Sequence, residues 1–174
     1  VEYMIRTITV GILIFVCFLL QSSVFSRLDL GGITPNLLIV LTASFGFMRG
    51  EKEGLFIGFI CGLLMDIFFA EYMGLYALIY MYIGFFNGKF KKIFYPDDIK
   101  LPITLIIFSD LVYGLVCYIS FLLRGKFHFM YYFLHVILPE IVYTIIITIA
   151  LYPLILIINK KLDNYEKGRA KKFV

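Results

Sequence analysis

The residues with chemistry to offer are few, and they are scattered. Asp66, Asp110 and Glu140 interrupt long apolar runs, His128 and His135 lie seven positions apart, Ser109 precedes an aspartate, and Cys17, Cys61 and Cys117 stand alone. Paired aspartates on apolar helices could hydrolyse a peptide bond, but that chemistry uses Y-D and G-x-G-D settings. Asp66 sits in Leu-Met-Asp-Ile and Asp110 in Ser-Asp-Leu. A serine nucleophile needs a base and a tight glycine-flanked turn, and Ser109 has neither neighbour. The three cysteines form no C-x-x-C pair and have no histidine spacing suited to a metal, so they read as small buried hydrophobes. No P-loop, H-E-x-x-H or dinucleotide-binding glycine pattern occurs, which argues against an enzyme and against any cofactor or metal. The carboxylates keep their interest for another reason. Within hydrocarbon each costs roughly 2.5–3.5 kcal/mol on insertion scales, so such groups face protein or water.

The elements that must carry these residues follow from composition. Of 174 residues, 61% are hydrophobic and 16% charged, with a mean hydropathy of +0.94. An ordinary soluble domain has about 45–50% apolar and about 25% charged residues, so this chain belongs in a bilayer. A spanning helix takes about 20 apolar residues. The charges divide the chain into six such lengths, 7–26, 35–48, 54–70, 72–88, 102–123 and 133–158, with 127–132 as an aromatic approach along the interface. The expected fold is an all-α integral membrane protein of six transmembrane helices in a single domain, with 159–174 as a basic cytoplasmic tail that anchors on the membrane surface. Strong period-two alternation is absent, which speaks against a barrel. The first apolar stretch exceeds the usual signal-peptide core and lacks an A-x-A site, so it reads as a span.

Thr34-Pro35 offers a helix N-cap followed by proline at the first helical position, and Pro102 reads as a second helix start. The short Glu71-Tyr72 connection makes spans three and four an antiparallel hairpin. With the N-terminus inside, thirteen of the sixteen Lys and Arg residues fall on the cytoplasmic side, leaving only Arg27, Arg124 and Lys126 outside. That bias predicts both termini in the cytoplasm. It also accounts for the net charge of +4 through topology and anionic headgroups, without a nucleic-acid partner.

Small residues mark where helices meet. Gly54, Gly58 and Gly62 recur every four residues on span three, and Gly74, Ala77, Gly84 and Gly88 share one side of span four. These seven define an expected packing seam. Asp66 lies beside it, where a packing role and a functional one are both open. Asp110 shares a face with Gly114 and Cys117, and Glu140 shares one with Thr144 and Thr148, so both are expected to look inward. Together with Gln21 they form a candidate interior site, water-filled or partner-facing. Glu140 also follows Pro139, whose missing N–H is expected to kink span six.

The order of features resembles a family. Leu20-Gln21-Ser22-Ser23, then Gly32-Ile33-Thr34-Pro35-Asn36-Leu37-Leu38, Arg49-Gly50 through Glu53-Gly54, Gly58-Phe59, Gly62-Leu63-Leu64-Met65-Asp66 and Met73-Gly74-Leu75-Tyr76-Ala77-Leu78 are similar to the MreD rod-shape-determining membrane proteins. The resemblance implies a non-catalytic scaffold of the bacterial inner membrane. It implies work with MreC, the MreB filament, RodA and a penicillin-binding transpeptidase in rod shape and side-wall peptidoglycan synthesis. The family also looks related in fold to the substrate-binding subunits of energy-coupling-factor vitamin transporters, which gives an alternative function. Those subunits use an A-x-x-x-A contact in the first span, and none occurs between Thr7 and Ser26.

Overall fold

A computed structural model describes residues 2–28, 32–70, 73–93, 99–122 and 128–170. Among them every regular element is helical. α1 (Glu2–Leu19) runs on into a π-helical turn (Leu20–Phe25), and α2 (Leu37–Arg49) and α3 (Glu51–Phe69) follow. α4 (Leu75–Lys89) ends in a 3-10 turn (Phe90–Ile93), and α5 (Lys100–Leu122) comes next. A last rod comprises α6 (Phe129–Tyr132), a π turn (Phe133–Ile137) and α7 (Leu138–Ala170). In hydrocarbon each backbone polar group must be satisfied within its own segment, so a chain this apolar has little alternative to helices. Three helical stretches are long and apolar enough to cross a membrane: Met4–Phe25, Lys100–Ile119 and Phe129–Glu166.

α2 is the centre of the molecule. Twelve of its thirteen residues, Leu37 through Met48, are buried, enclosed by α1, α3, α4, α5 and α7. At 1.5 Å per residue it is about 20 Å long, short of a hydrocarbon core of about 30 Å. It is therefore a protein-wrapped axis around which the longer helices stand. Gly50 alone joins it to α3, at φ +104°. A side chain there would be strained, so the reversal between the two helices requires glycine.

Several boundaries differ from the sequence expectation. Helix α2 starts two residues beyond Pro35, and its N-cap is Asn36, whose side chain accepts from Ile39 N at 3.2 Å; Thr34 does not cap it. An asparagine that can bond its own N3 amide outcompetes a threonine one residue before a proline. Pro102 was expected at the start of its helix; α5 begins two residues earlier, and Pro102 is its third residue, still within the first turn where a missing N–H is tolerated. Gly74 is not part of a helical face. It is the left-handed N-cap of α4, at φ +103°, and a Cβ there would meet no atom within 4 Å. The wheel that grouped it with Ala77 assumed helix one turn too early. Phe129–Tyr132 leads directly into the π turn and α7 without a break in the helix. The disturbance ahead of Pro139 takes the form of that π turn, whose wider spacing suits the amide that proline lacks. α7 also continues helically through the start of the basic tail to Ala170. The Glu71-Tyr72 link, Arg124, Lys126, Lys171 and Lys172 lie outside the described residues.

Candidate functional site

The tightest packing lies between α3 and α4. A Cβ built on Gly54 would overlap the carbonyl oxygen of Gly84, one on Gly58 that of Tyr80, and one on Gly62 that of Tyr76. One on Gly88 would overlap the backbone of Glu51. The first three pairings each sum to 138, which defines an antiparallel register in which backbone touches backbone. Ala77 belongs to the same seam, its Cα 2.6 Å from where a Cβ on Gly62 would stand. Gly46 of α2 joins it, since a Cβ there would sit 2.6 Å from Gly84 O. Three helices thus converge on Gly46, Gly54 and Gly84. Sequence reasoning missed Gly46, although Gly46, Gly50, Gly54, Gly58 and Gly62 continue one four-residue spacing across the turn.

Asp66 completes the hairpin. Its two carboxylate oxygens accept from Tyr76 N at 3.0 Å and Ala77 N at 2.8 Å. These are the second and third residues of α4, whose N-cap is Gly74. A capping side chain normally serves these two amides, and glycine has none. Asp66 supplies the cap from the neighbouring helix, with its negative charge at the positive end of the α4 dipole. Only 2% of Asp66 is exposed. Both of its acceptors are engaged, so the geometry gives it a packing role.

A second polar cluster surrounds the buried start of α2. Gln21 Oε1 accepts from Leu38 N at 3.2 Å, and its amide points to Met65 Sδ at 3.9 Å. Tyr80 Oη donates to Asn36 Oδ1 at 2.7 Å, and Asn36 N donates to Thr144 Oγ1 at 3.1 Å. Gln21 therefore serves, like Asn36, as a cap for the central helix. Its place on the π turn bulges it toward α2.

Asp110 and Glu140 belong to the same region without being consumed by it. A Cβ on Gly114 would stand 3.0 Å from Ile137, which fixes the antiparallel register of α5 against the last rod. One turn along each helix brings Asp110 and Glu140 to the same level. Asp110 is 2% exposed, and neither of its carboxylate oxygens has a hydrogen-bond partner among the described residues. A buried acid with both oxygens unpartnered is costly, which marks Asp110, with the half-buried Glu140 level with it on the last rod, as the residual candidate site.

At the opposite end of α2 an ion cluster ties four helices together. Asp163 Oδ1 accepts from Arg6 at 2.6 Å and Arg49 at 2.8 Å, while Arg6 also reaches Glu166 at 3.1 Å and Arg49 reaches Glu53 at 3.0 Å. Lys91 Nζ covers the last carbonyl of α2, Arg49 O, at 2.8 Å. Sequence reasoning used Arg6 and Arg49 as markers of orientation, and Arg49 in the family resemblance, without assigning either an ion-pair partner. Their partners on α7 are 157 and 114 residues away, beyond the reach of local pattern.

The side chains considered for catalysis have other occupations. Ser109 Oγ donates to Leu105 O and accepts from Asn87, with no base beside it. The exposed His135 lies against Tyr131, its ring stacked at 4.2 Å. Among the described residues there is no group of three or more His, Cys, Asp or Glu able to hold a metal ion.

The class these features define is a helical membrane protein whose polar groups chiefly cap, pack and tie helices. The family model for rod shape-determining protein MreD matches residues 3–162, and the chain belongs to the MreD family. Comparison with curated proteins and with solved structures gives no match. Membership assigns the protein a role in rod-shape determination at the membrane.

Proposed function

We propose that this protein is a non-catalytic scaffold of the bacterial cell-elongation complex. In this reading it binds an MreC-like membrane protein, works beside MreB, RodA and a penicillin-binding transpeptidase, and supports side-wall peptidoglycan synthesis. It crosses the inner membrane six times with both termini in the cytoplasm. The observation that carries the reading is the family match across residues 3–162. Two further features support it. The thirteen-to-three division of basic residues matches the orientation bias of inner-membrane proteins. The chain has only short connections between helices, so its contacts with other proteins fall largely to helix faces. Asp66 is occupied by α4, which leaves Asp110 and Glu140 as the interior groups available to a partner.

The test is complementation. Expressed in a rod-shaped bacterium depleted of its own MreD, the chain should restore rods of normal width. Cells that stay round despite a correctly inserted chain would contradict the proposal.

A further inference from the structure

The helix faces that carry small residues are used internally, and one outward face has a different character. Between α4 and α5 runs an open groove of about 730 Å³, within the range typical of small-molecule sites. Its walls include Ile79, Tyr82 and Phe86 of α4 and Leu105, Phe108 and Val112 of α5, and its lining surface is almost wholly apolar. Asn87 lies at its floor, with its amide donated to Ser109 Oγ and Ile83 O, both at 2.8 Å. Tyr82, Phe86 and Phe108 are more than half exposed.

Two observations say what fits there. No glycine or alanine lines the groove, and the hydroxyls of its two small polar residues, Thr104 and Ser109, are bonded to carbonyls of their own helix. Helices that associate in a membrane use small residues to bring backbones close, and these bulky, rotatable walls suit a flexible chain better than a second helix. One mouth of the groove is also basic. The C-terminal end of α4 and the N-terminal end of α5 lie there together, and 89–100 carries four lysines against two aspartates. Lys89 Nζ sits over the rings of Phe85 and Phe86, at 4.9 and 5.3 Å from their centres, and so is held at the groove's rim. Lys92 and Lys100 are exposed, and neither Lys89 nor Lys92 forms an ion pair with a described residue. Lys100 stands one turn before Thr104, which lines the groove.

We propose that the α4–α5 groove binds one anionic phospholipid, with an acyl chain along the apolar walls and the phosphate at Lys89, Lys92 and Lys100. A lysine at a membrane surface favours anionic headgroups by about fivefold, so Lys89 and Lys92, which form no ion pair with a described residue, supply a preference of roughly twentyfold over a zwitterionic lipid.

The test uses the full chain, purified in detergent, stripped of lipid and titrated with phosphatidylglycerol or phosphatidylcholine of matched acyl chains, with bound lipid read by native mass spectrometry. One phosphatidylglycerol per chain should be retained, with at least about tenfold preference. The triple variant Lys89→Gln, Lys92→Gln, Lys100→Gln should bring phosphatidylglycerol down to the phosphatidylcholine level. Val112→Trp, which fills an open groove, should weaken retention of both lipids. Equal retention of the two lipids, or a preference that survives the triple variant, overturns the proposal. So does a photocrosslinker at Phe108 that, in native membranes, captures a protein and no phospholipid.

Discussion

Removing the carboxylate of Asp66 should unfasten the α3–α4 hairpin at one end. In Asp66→Ala two amides of the first turn of α4, Tyr76 N and Ala77 N, lose acceptors at 3.0 and 2.8 Å. Each hydrogen bond to a charged group is worth about 1.5–3 kcal/mol, so the loss is roughly 3–6 kcal/mol. The dipole term adds about 0.3–1 kcal/mol more. No replacement is at hand, because Gly74 sits at φ +103° and a capping side chain placed there would be strained. Asp66→Asn keeps one acceptor oxygen and turns an amide N–H toward the other donor, so it should lose about half as much. The assay is unfolding of the purified protein in mixed micelles by denaturing detergent, followed by circular dichroism. The expected order is parent, then Asp66→Asn, then Asp66→Ala. An Asp66→Ala variant within about 0.5 kcal/mol of the parent, the spread of ordinary surface changes, would refute the capping account.

Three further outcomes follow from the packing and the charges. Gly62→Leu or Gly58→Leu should lower folding yield sharply, and even Gly84→Ala should cost about 1–3 kcal/mol by overpacking against Gly54 O; Leu63→Ile, on an exposed position, should be tolerated in the same expression assay. Asp163→Ala should destabilise more than Glu166→Ala, by about 1–3 kcal/mol, because one oxygen of Asp163 serves both Arg6 and Arg49; equal midpoints in detergent denaturation would contradict this. Reporter fusions after Lys92 and Lys172 should read cytoplasmic and one after Lys126 external, and an external signal at Lys172 would exclude the proposed six crossings.

What the sequence discloses depends on how far each interaction reaches. The four-residue spacing of Gly54, Gly58 and Gly62 exposes a seam because a local period survives into the helix. The partner face was legible through Ala77, Gly84 and Gly88, but Gly74 was misassigned because a helical wheel carries no information about where the helix starts. Gly46 was overlooked because Arg49 and Gly50 divided one glycine series into two segments. The enclosure of α2 is harder to read. In a soluble protein an all-apolar helix is a buried one, whereas in a bilayer lipid and protein interior are alike apolar. The clue lay in the small and polar run Thr42, Ala43, Ser44 and Gly46, which a lipid-facing helix would not need. Asp66 could be suspected but not assigned, since its partners depend on the path of the hairpin. The union of Asp163 with Arg6 and Arg49 depends on the whole bundle. Asp110 was recognised as an inward group from its wheel face, whereas Glu140, expected to look inward as well, is only half-buried; Gly114 against Ile137 supplies the register that sets them level.

If the chain acts by holding another membrane protein, co-purification from membranes in mild detergent with an MreC-like protein from the same bacterium shows it. A scaffold should give a stoichiometric complex that persists through size-exclusion chromatography. A chain that leaves the MreC-like protein behind, and instead captures a vitamin tightly together with an energy-coupling module, would contradict the scaffold reading and establish the transporter one.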